Sequence, residues 1–222
     1  MKVKKRTNST SQVPSGFSNE EVVTLFPTTL VRCQMPGSVF KNVRLREIVL
    51  EHEKTDPGTS TSNVGGWHSK GDLWDWPEPE IQELCNFVNQ TVENLTSTVF
   101  PIKKGDEIKV TPYGGAWVNL LRNGAYNKVH NHPGAVWSAV YYVSLGRPDK
   151  TIPDNGLIEF MDPRPGNIHG GKEKIEPENG LLIIFPSWLY HYVNPYQGEM
   201  ERISIAFNMD VEIIRPGFVP QF

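Results

Sequence analysis

The sequence predicts an α+β protein in which two helices precede a sandwich or jelly-roll barrel of short β-strands. Two stretches in the first half repeat apolar residues at helical spacing. After Ile108 at least six short runs of β-branched and aromatic residues follow, separated by turns. The chain also contains 19 Gly and 18 Pro, which favours many short elements over long helices. With 222 residues, it is long enough for one domain with a substantial core.

The N-terminal region divides into a tail and the start of the folded domain. Residues 1–20 are polar, basic and rich in Ser, Thr and Asn, and we expect a disordered tail there. Residues 21–222 are expected to form a single domain. Its first apolar stretch is interrupted by Pro27, which is typical of an edge strand because proline cannot donate a ladder hydrogen bond.

Two helices are predicted next, at residues 39–53 and from Pro77 onward. The first is followed by the turn sequence Asp-Pro-Gly at 56–58, and the second opens with proline and acidic residues. The apolar positions of the first helix are Val39, Phe40, Val43, Leu45, Ile48 and Val49. Those of the second are Ile81, Leu84, Cys85, Val88, Val92 and Leu95. Both helices are expected to pack on the β-structure.

The segment between the helices, residues 62–76, contains Trp67, Trp74 and Trp76 among glycines and polar residues. Such a loop is either a packed lid or the wall of a substrate site. The sequence alone leaves both interpretations open.

Composition excludes several classes of partner. The 22 Lys and Arg against 25 Asp and Glu give a net charge of −3, and the pI is near 6.1, so nothing indicates binding to nucleic acid or to an anionic membrane. No apolar run reaches the roughly 18–20 residues that a membrane span requires. We therefore expect a cytoplasmic protein without nucleic-acid or membrane partners.

Three histidines are candidates for one metal site. His130 and His132 are two residues apart at the start of a predicted strand, so that alternation places both on one face. His191 follows a strongly apolar strand, 59 residues beyond His132. Three imidazoles suit Fe, Zn, Ni or Cu and leave coordination positions open. Two histidines in a turn are also often merely solvated, and Glu159 is an alternative carboxylate ligand.

The last apolar strand carries a candidate anion site. Within residues 202–208, Arg202 and Ser204 lie on one face and the isoleucines on the other. A guanidinium beside a hydroxyl suits a small dicarboxylate, because the planar fork of arginine matches a carboxylate. The equal alternative is an internal ion pair between Arg202 and Glu159 or Asp162.

These residues together resemble the iron(II)- and 2-oxoglutarate-dependent dioxygenases. The resemblance is carried by the His-x-His pair, by His191 and by the Arg-x-Ser pattern eleven residues later. More closely, a little-characterised family of 2-oxoglutarate oxygenases is similar to the segments SNVGGWHS, AWVNLLRNGAYNKVHNHPG, SAVYYV, GLIEFMDPR, FPSWLYHYVNP and RISIAFN. The resemblance spans roughly residues 22–210. It implies a double-stranded β-helix core and, as cofactor and cosubstrates, Fe(II), 2-oxoglutarate and O2.

The resemblance assigns roles residue by residue. His130 matches the first metal-binding histidine, His191 the distal one and Arg202 the arginine that binds 2-oxoglutarate, with Ser204 beside it. His132 departs from the pattern, because most of the superfamily has Asp or Glu there, and this leaves the site one negative charge short. Three-histidine iron sites occur in cupin dioxygenases with the same barrel.

Two further residues are secondary candidates for binding the cosubstrate. Asn119 alternates with Trp117 on one strand, and Tyr142 lies in the strand after the histidine turn, where its phenol could hydrogen-bond the distal carboxylate. Each could instead belong to the core or to the wall of the site. His52, His68 and His169 are expected to be solvated or structural.

The sequence supports three functions in order. The first is a 2-oxoglutarate-dependent hydroxylase of an unknown substrate. The second is a three-histidine cupin-type dioxygenase that does not use 2-oxoglutarate, and the third is a non-catalytic jelly-roll binding module. The oligomeric state is open, with a homodimer among the options.

Overall fold

The computed structural model describes residues 25–164 and 171–216. The predicted tail at 1–20 and His169 lie outside the described residues. In chain order the elements are β1 (Val31–Gln34), α1 (Ser38–Thr55), β2 (Asn63–Val64), β3 (Trp67–His68), a 3-10 turn (Leu73–Asp75), α2 (Pro79–Val99), β4 (Glu107–Leu121), β5 (Tyr126–His130), β6 (Trp137–Ser144), β7 (Ile158–Met161), β8 (Lys172–Ile175), β9 (Leu181–Pro186), β10 (His191–Val193) and β11 (Arg202–Ile214).

The strands form two antiparallel sheets, so the α+β prediction with a jelly-roll core is confirmed. The major sheet has the order β1-β9-β6-β11-β4-β3 and the minor sheet β2-β5-β10-β7-β8. β1 is the edge strand that the sequence predicted. Because the pairing strands are far apart in the chain, the barrel depends on long-range hydrogen bonding.

Both faces of the major sheet are buried. Successive residues of its central strands point to opposite faces of the sheet, and both sets are apolar. On β9, Leu182 and Ile184 pack toward the two helices, while Ile183 and Phe185 pack toward the minor sheet. A strand buried on both sides requires a continuous apolar run, and the sequence LLIIF supplies one. The apolar residues between the two sheets therefore form a layer that is separate from the core beneath the helices.

The first helix forms where the sequence predicted it, but half of its expected apolar face is wrong. Val39 and Phe40 are 77% and 84% exposed, and Val43 is also exposed. At 100° per residue these three lie opposite Leu45, Ile48 and Val49. The buried face consists of Ser38, Asn42, Leu45, Ile48 and Val49.

Asn42 explains why the buried face of α1 includes a polar position. Its amide donates to the Tyr142 carbonyl oxygen at 3.2 Å and accepts from the Tyr141 hydroxyl at 2.7 Å. These bonds satisfy a buried amide, which would otherwise carry a desolvation cost. They also fix α1 against β6.

The second helix begins two residues later than predicted. Its first residue is Pro79, with Glu78 preceding it, rather than Pro77. Both prolines fit the start of a helix, where the missing N–H is not needed. Among the described residues, neither helix combines the length and the apolar character required to cross a membrane.

The tryptophan-rich segment is packed into the core. Trp67 and Trp76 are buried, and Trp67 donates its indole N–H to the Asp56 carbonyl oxygen at 2.9 Å. The ring of Trp76 stacks on His52 with ring centroids 3.6 Å apart. The packing interpretation of this segment therefore applies to these two residues.

Gly66 fixes the tight turn between β2 and β3. Its φ is +68°, and a Cβ there would lie 2.3 Å from the Leu120 carbonyl oxygen. We expect Gly66→Ala to lower the free energy of unfolding by about 2–5 kcal/mol, since left-handed strain and an overpacked contact add. Gly124→Ala is the matched control, because Gly124 has φ +87° but nothing within 4 Å. Urea unfolding of both variants checks this, and equal losses would contradict the steric explanation.

Candidate metal centre

The three predicted histidines converge at the end of the minor sheet. β10 pairs antiparallel with β5, and the register sets His191 opposite His130. His130 is the last residue of β5, and His132 lies in the turn that follows. The sequence predicted that His130 and His132 lie at the start of a strand. This detail is wrong, because β5 ends at His130. The His132 amide donates to the Ser187 carbonyl oxygen at 2.9 Å, which anchors this turn.

The histidine side chains are close enough to share one ion. Each offers a ring nitrogen within 4.8 Å of those of the other two. The ring centroids of His130 and His191 are 4.4 Å apart, and those of His132 lie 5.0 Å from His130 and 5.2 Å from His191. This arrangement can supply three nitrogen ligands on one side of a metal while leaving positions on the other side free.

Backbone carbonyls set the tautomer of two of the three imidazoles. The Nδ1 atom of His130 lies 2.7 Å from the Lys128 carbonyl oxygen, and that of His191 lies 2.9 Å from the Leu189 carbonyl oxygen. Because a carbonyl oxygen only accepts, each Nδ1 carries the proton and each Nε2 keeps its lone pair. Two rings are thus held ready to bind a cation.

Burial keeps the cluster neutral. Burial, together with the neighbouring His130, lowers the pKa of His132 to about 4 and that of His191 to about 3. Burial also lowers the pKa of His130. Only the neutral imidazole is a metal ligand, so the three rings are in their ligating form at neutral pH.

Arg202 lies in the same cavity as the histidines. It is 2% exposed, donates to the Ser204 hydroxyl at 3.3 Å, and its guanidinium carbon lies 5.3 Å from the centre of the Tyr142 ring. Burial lowers the pKa of Arg202. Within the described part of the chain no carboxylate lies within 4.0 Å of it, which leaves a buried guanidinium without an internal counter-ion.

The internal ion pair considered for Arg202 is not formed. Glu159 instead accepts from the Tyr192 hydroxyl at 2.6 Å and from the Asn194 amide at 2.7 Å. Asp162 accepts from the Arg164 side chain. Alternation along β7 places Phe160 against His191 and Glu159 on the other face, so Glu159 is also not a partner of the histidines.

The two secondary candidates line the cavity. The buried hydroxyl of Tyr142 lies beside the Arg202 guanidinium and donates to no described residue. Burial raises the pKa of Tyr142, with Arg202 acting in the opposite direction. Asn119 accepts from the Asn127 amide at 3.2 Å, which leaves its own amide N–H groups available.

Sequence reasoning missed Asn127 and Ser62, which also line this cavity. Asn127 is three residues before His130, so simple alternation predicts that it faces away. The register between β5 and β10 shifts between the His191–His130 pair and the Val193–Asn127 pair, so that three residues of β5 lie opposite two of β10. Such an irregularity resets the alternation and leaves no signal in the sequence. Ser62 precedes β2, which pairs with β5 at Asn127.

The neutral imidazoles make the metal-free protein acid-sensitive. His132 and His191 bind protons more weakly in the folded protein than in the unfolded chain, where the pKa is near 6.5. The unfolded chain therefore takes up more protons as the pH falls from about 6.5 toward about 3, and the free energy of unfolding falls. We expect His191→Asn to reduce this loss by up to about 1.4 kcal/mol per pH unit.

Chemical denaturation of the metal-free protein between pH 7 and pH 4 measures this slope. His52→Asn is the matched control, because His52 lies on α1 beside Glu78 and outside the cluster. A His191→Asn slope equal to that of the wild type would show that His191 is not held neutral by burial.

Comparison with known proteins places this geometry in context. Residues 115–208 match a family model described as "Putative 2OG-Fe(II) oxygenase". No curated protein matches the chain. The matched segment includes β5, β6, β10 and the start of β11, and with them all three clustered histidines.

Solved structures share the fold at low sequence identity. A prolyl-4-hydroxylase from Pseudomonas putida is 18% identical, with 82% of this chain and 92% of that chain covered and a TM-score of 0.57. A prolyl hydroxylase from Trichoplax adhaerens, in complex with a hypoxia-inducible factor peptide, is 16% identical, with 82% and 83% covered and a TM-score of 0.54.

A third neighbour has a different activity. The non-heme alpha-ketoglutarate-dependent epimerase SnoN from nogalamycin biosynthesis is 14% identical, with 85% and 80% covered and a TM-score of 0.58. The common fold of these neighbours is the jelly-roll core predicted from the sequence. The family match covers residues 115–208, which include His130, His132, His191 and Arg202, so this segment is similar to proteins described as 2OG-Fe(II) oxygenases.

Proposed function

We propose that this protein is a hydroxylase in which His130, His132 and His191 hold Fe(II) and Arg202 binds 2-oxoglutarate. One observation carries the proposal. A single cavity contains three clustered neutral imidazoles together with a buried guanidinium that has no carboxylate partner among the described residues. A buried charge without a partner is costly, and an anionic ligand removes that cost.

The histidine cluster fits Fe(II) by its chemistry. Imidazole nitrogens bind Fe(II) readily, and three of them leave open positions for other ligands. When bound, Fe(II) and 2-oxoglutarate supply the O2-dependent chemistry that couples decarboxylation to succinate with oxidation of a substrate C–H bond. His130 and His191 enter this role with their tautomers already fixed by carbonyls, so they are preorganised.

Arg202 and its neighbours fit the far carboxylate of the cosubstrate. Ser204 orients the guanidinium through their hydrogen bond, and the Tyr142 hydroxyl beside it, which donates to no described residue, supplies a further donor. Asn119, with its carbonyl oxygen occupied by Asn127, presents N–H donors to the same ligand. The apolar residues Phe185 and Ile158 line the same cavity and exclude water from it.

Hydroxylation is proposed because two structural neighbours are prolyl hydroxylases by name. The epimerase among the neighbours means that the fold itself does not select the outcome. Analysis of the oxidised product is therefore part of the test of this proposal.

A three-histidine dioxygenase without 2-oxoglutarate is the second candidate. The neutral His132 favours it, because a cupin-type site is built from three imidazoles. It leaves Arg202 unexplained, since such an enzyme has no need of a buried guanidinium facing the cavity. Iron binding without succinate release would support this candidate, and neither iron binding nor succinate release would support the non-catalytic module.

Arg202→Met separates ligand binding from stability. We expect 2-oxoglutarate to bind about 30- to 1000-fold more weakly, since a buried charge-assisted pair contributes about 2–4 kcal/mol. The ligand-free protein should be as stable as the wild type or more stable, because an uncompensated buried charge is removed. Anaerobic calorimetry with Co(II) in place of iron measures binding, and urea unfolding measures stability.

The control for Arg202→Met is Arg147→Met, since the side chain of Arg147 is 70% exposed. Arg147→Met should change neither the affinity for 2-oxoglutarate nor the free energy of unfolding. Unchanged 2-oxoglutarate affinity in Arg202→Met, accompanied by strong destabilisation, would mean that Arg202 is structural.

His132 is tested by succinate release as a function of iron concentration. We expect His132→Ala to abolish succinate formation or to make it depend on much higher iron, because one of three ligands is lost. His132→Asp restores a carboxylate beside the dication and should lower the iron requirement if the shorter side chain reaches the ion. Superimposable curves for wild type and both variants would refute the role of His132 as a ligand.

A further inference from the structure

The three clustered histidines are not held in the same way. His130 and His191 each donate Nδ1–H to a backbone carbonyl. The ring of His132 makes no side-chain hydrogen bond with any described residue, and it follows the end of β5 in a turn. A ligand that is not held by a hydrogen bond requires another restraint, because a metal site that must order its own ligands binds more weakly.

Trp117 lies beside His132 in the same cavity. The two ring centroids are 5.5 Å apart, with an interplanar angle of 51°. Rings at this separation attract each other through dispersion and their quadrupoles. Trp117 is itself fixed, because it lies within β4 and is paired with Ala206 on β11.

His68 also packs against Trp117. Their ring centroids are also 5.5 Å apart, and the rings are nearly parallel at 15°. His68 is buried and is held by the Ser69 carbonyl oxygen at 2.7 Å and by the Thr59 hydroxyl at 3.1 Å from its Nδ1. The pairing of β3 with β4 sets His68 opposite Asn119, diagonal to Trp117.

We propose that Trp117 is a positioning residue that orients the His132 imidazole for metal binding, with His68 stacked against Trp117. The inference rests on the proposed function, since it assumes that His132 is a ligand. The row of rings from His68 through Trp117 to His132 restrains His132 as the carbonyls restrain the other two histidines. This ring packing explains how His132, which lies in a turn, serves as a ligand although its own ring makes no hydrogen bond.

The test is titration of the metal-free protein with Co(II), followed by its visible absorption spectrum. We expect Trp117→Leu to weaken Co(II) binding by about 10- to 100-fold, the range for residues that orient metal ligands. Its Co(II) spectrum should shift toward that of His132→Ala. Trp117→Phe keeps an aromatic face and should lose less affinity than Trp117→Leu.

The decisive comparison repeats Trp117→Leu in the His132→Ala background. If Trp117 acts through His132, the second substitution has no further effect on Co(II) affinity there. An equal loss in both backgrounds would overturn the inference, because Trp117 would then act on the site as a whole. An unchanged affinity for Trp117→Leu in the wild-type background would overturn it as well.

Two controls distinguish a failure of this inference from a nonspecific effect of losing a tryptophan and from a failure of the three-histidine ligand set. Trp188→Leu removes a tryptophan that is 48% exposed, and it should leave Co(II) binding unchanged. If Trp117→Leu does not fold, Trp117→Phe carries the comparison in both backgrounds. If His132→Ala alone leaves Co(II) affinity unchanged, the three-histidine ligand set fails, whereas a large effect of His132→Ala without any effect at Trp117 refutes only the positioning role.

Discussion

The antiparallel pairing of β10 with β5 is the interaction on which the candidate site depends. It sets His191 opposite His130, although the two are far apart in the chain. The pairing lies in the minor sheet, whose inner face covers the major sheet through residues such as Ile158 and Phe160. The histidine cluster therefore requires the whole barrel, since β5 and β10 hold their register only while the two sheets are packed together. This is why His191 can be preorganised beside His130 and His132 although it is far from both in the unfolded chain.

Function conflicts with stability most clearly at Arg202. A fully buried guanidinium that lacks a carboxylate partner among the described residues is a free-energy cost to the empty protein. The buried Glu159 lies on the face of β7 that points away from the cavity and pairs with Tyr192 and Asn194, so it does not neutralise Arg202. Such an arrangement is typical of a site that keeps a charge available for a ligand. It is the strongest structural reason to favour an anionic cosubstrate over a purely three-histidine chemistry.

The sequence predicted those parts of the site that follow from strand alternation. Arg202 and Ser204 share a face because β11 is regular over this stretch. His130 was predicted from its two-residue spacing to His132, and His191 from its position directly after an apolar strand. Alternation failed at Asn127, where an irregular register resets the pattern. Helical periodicity failed at Val39 and its neighbours in α1, because it shows where apolar residues lie but not which stripe meets the sheet. The face of α1 that packs on the sheet is set by tertiary contacts, and it includes the polar residue Asn42.

The electrostatics of the cavity give the neutral His132 a consequence beyond ligand identity. The described residues that line the cavity include Arg202 and no aspartate or glutamate. A divalent ion and one guanidinium carry three positive charges, and the two carboxylates of 2-oxoglutarate neutralise two of them. With an aspartate in place of His132 the sum would be zero, whereas here one positive charge remains. Under the proposed function, a metal held by the three histidines would have no anionic ligand from the protein and would gain one only from the cosubstrate. Because coupling between two ligands is reciprocal, 2-oxoglutarate must strengthen metal binding by the same factor by which the metal strengthens 2-oxoglutarate binding.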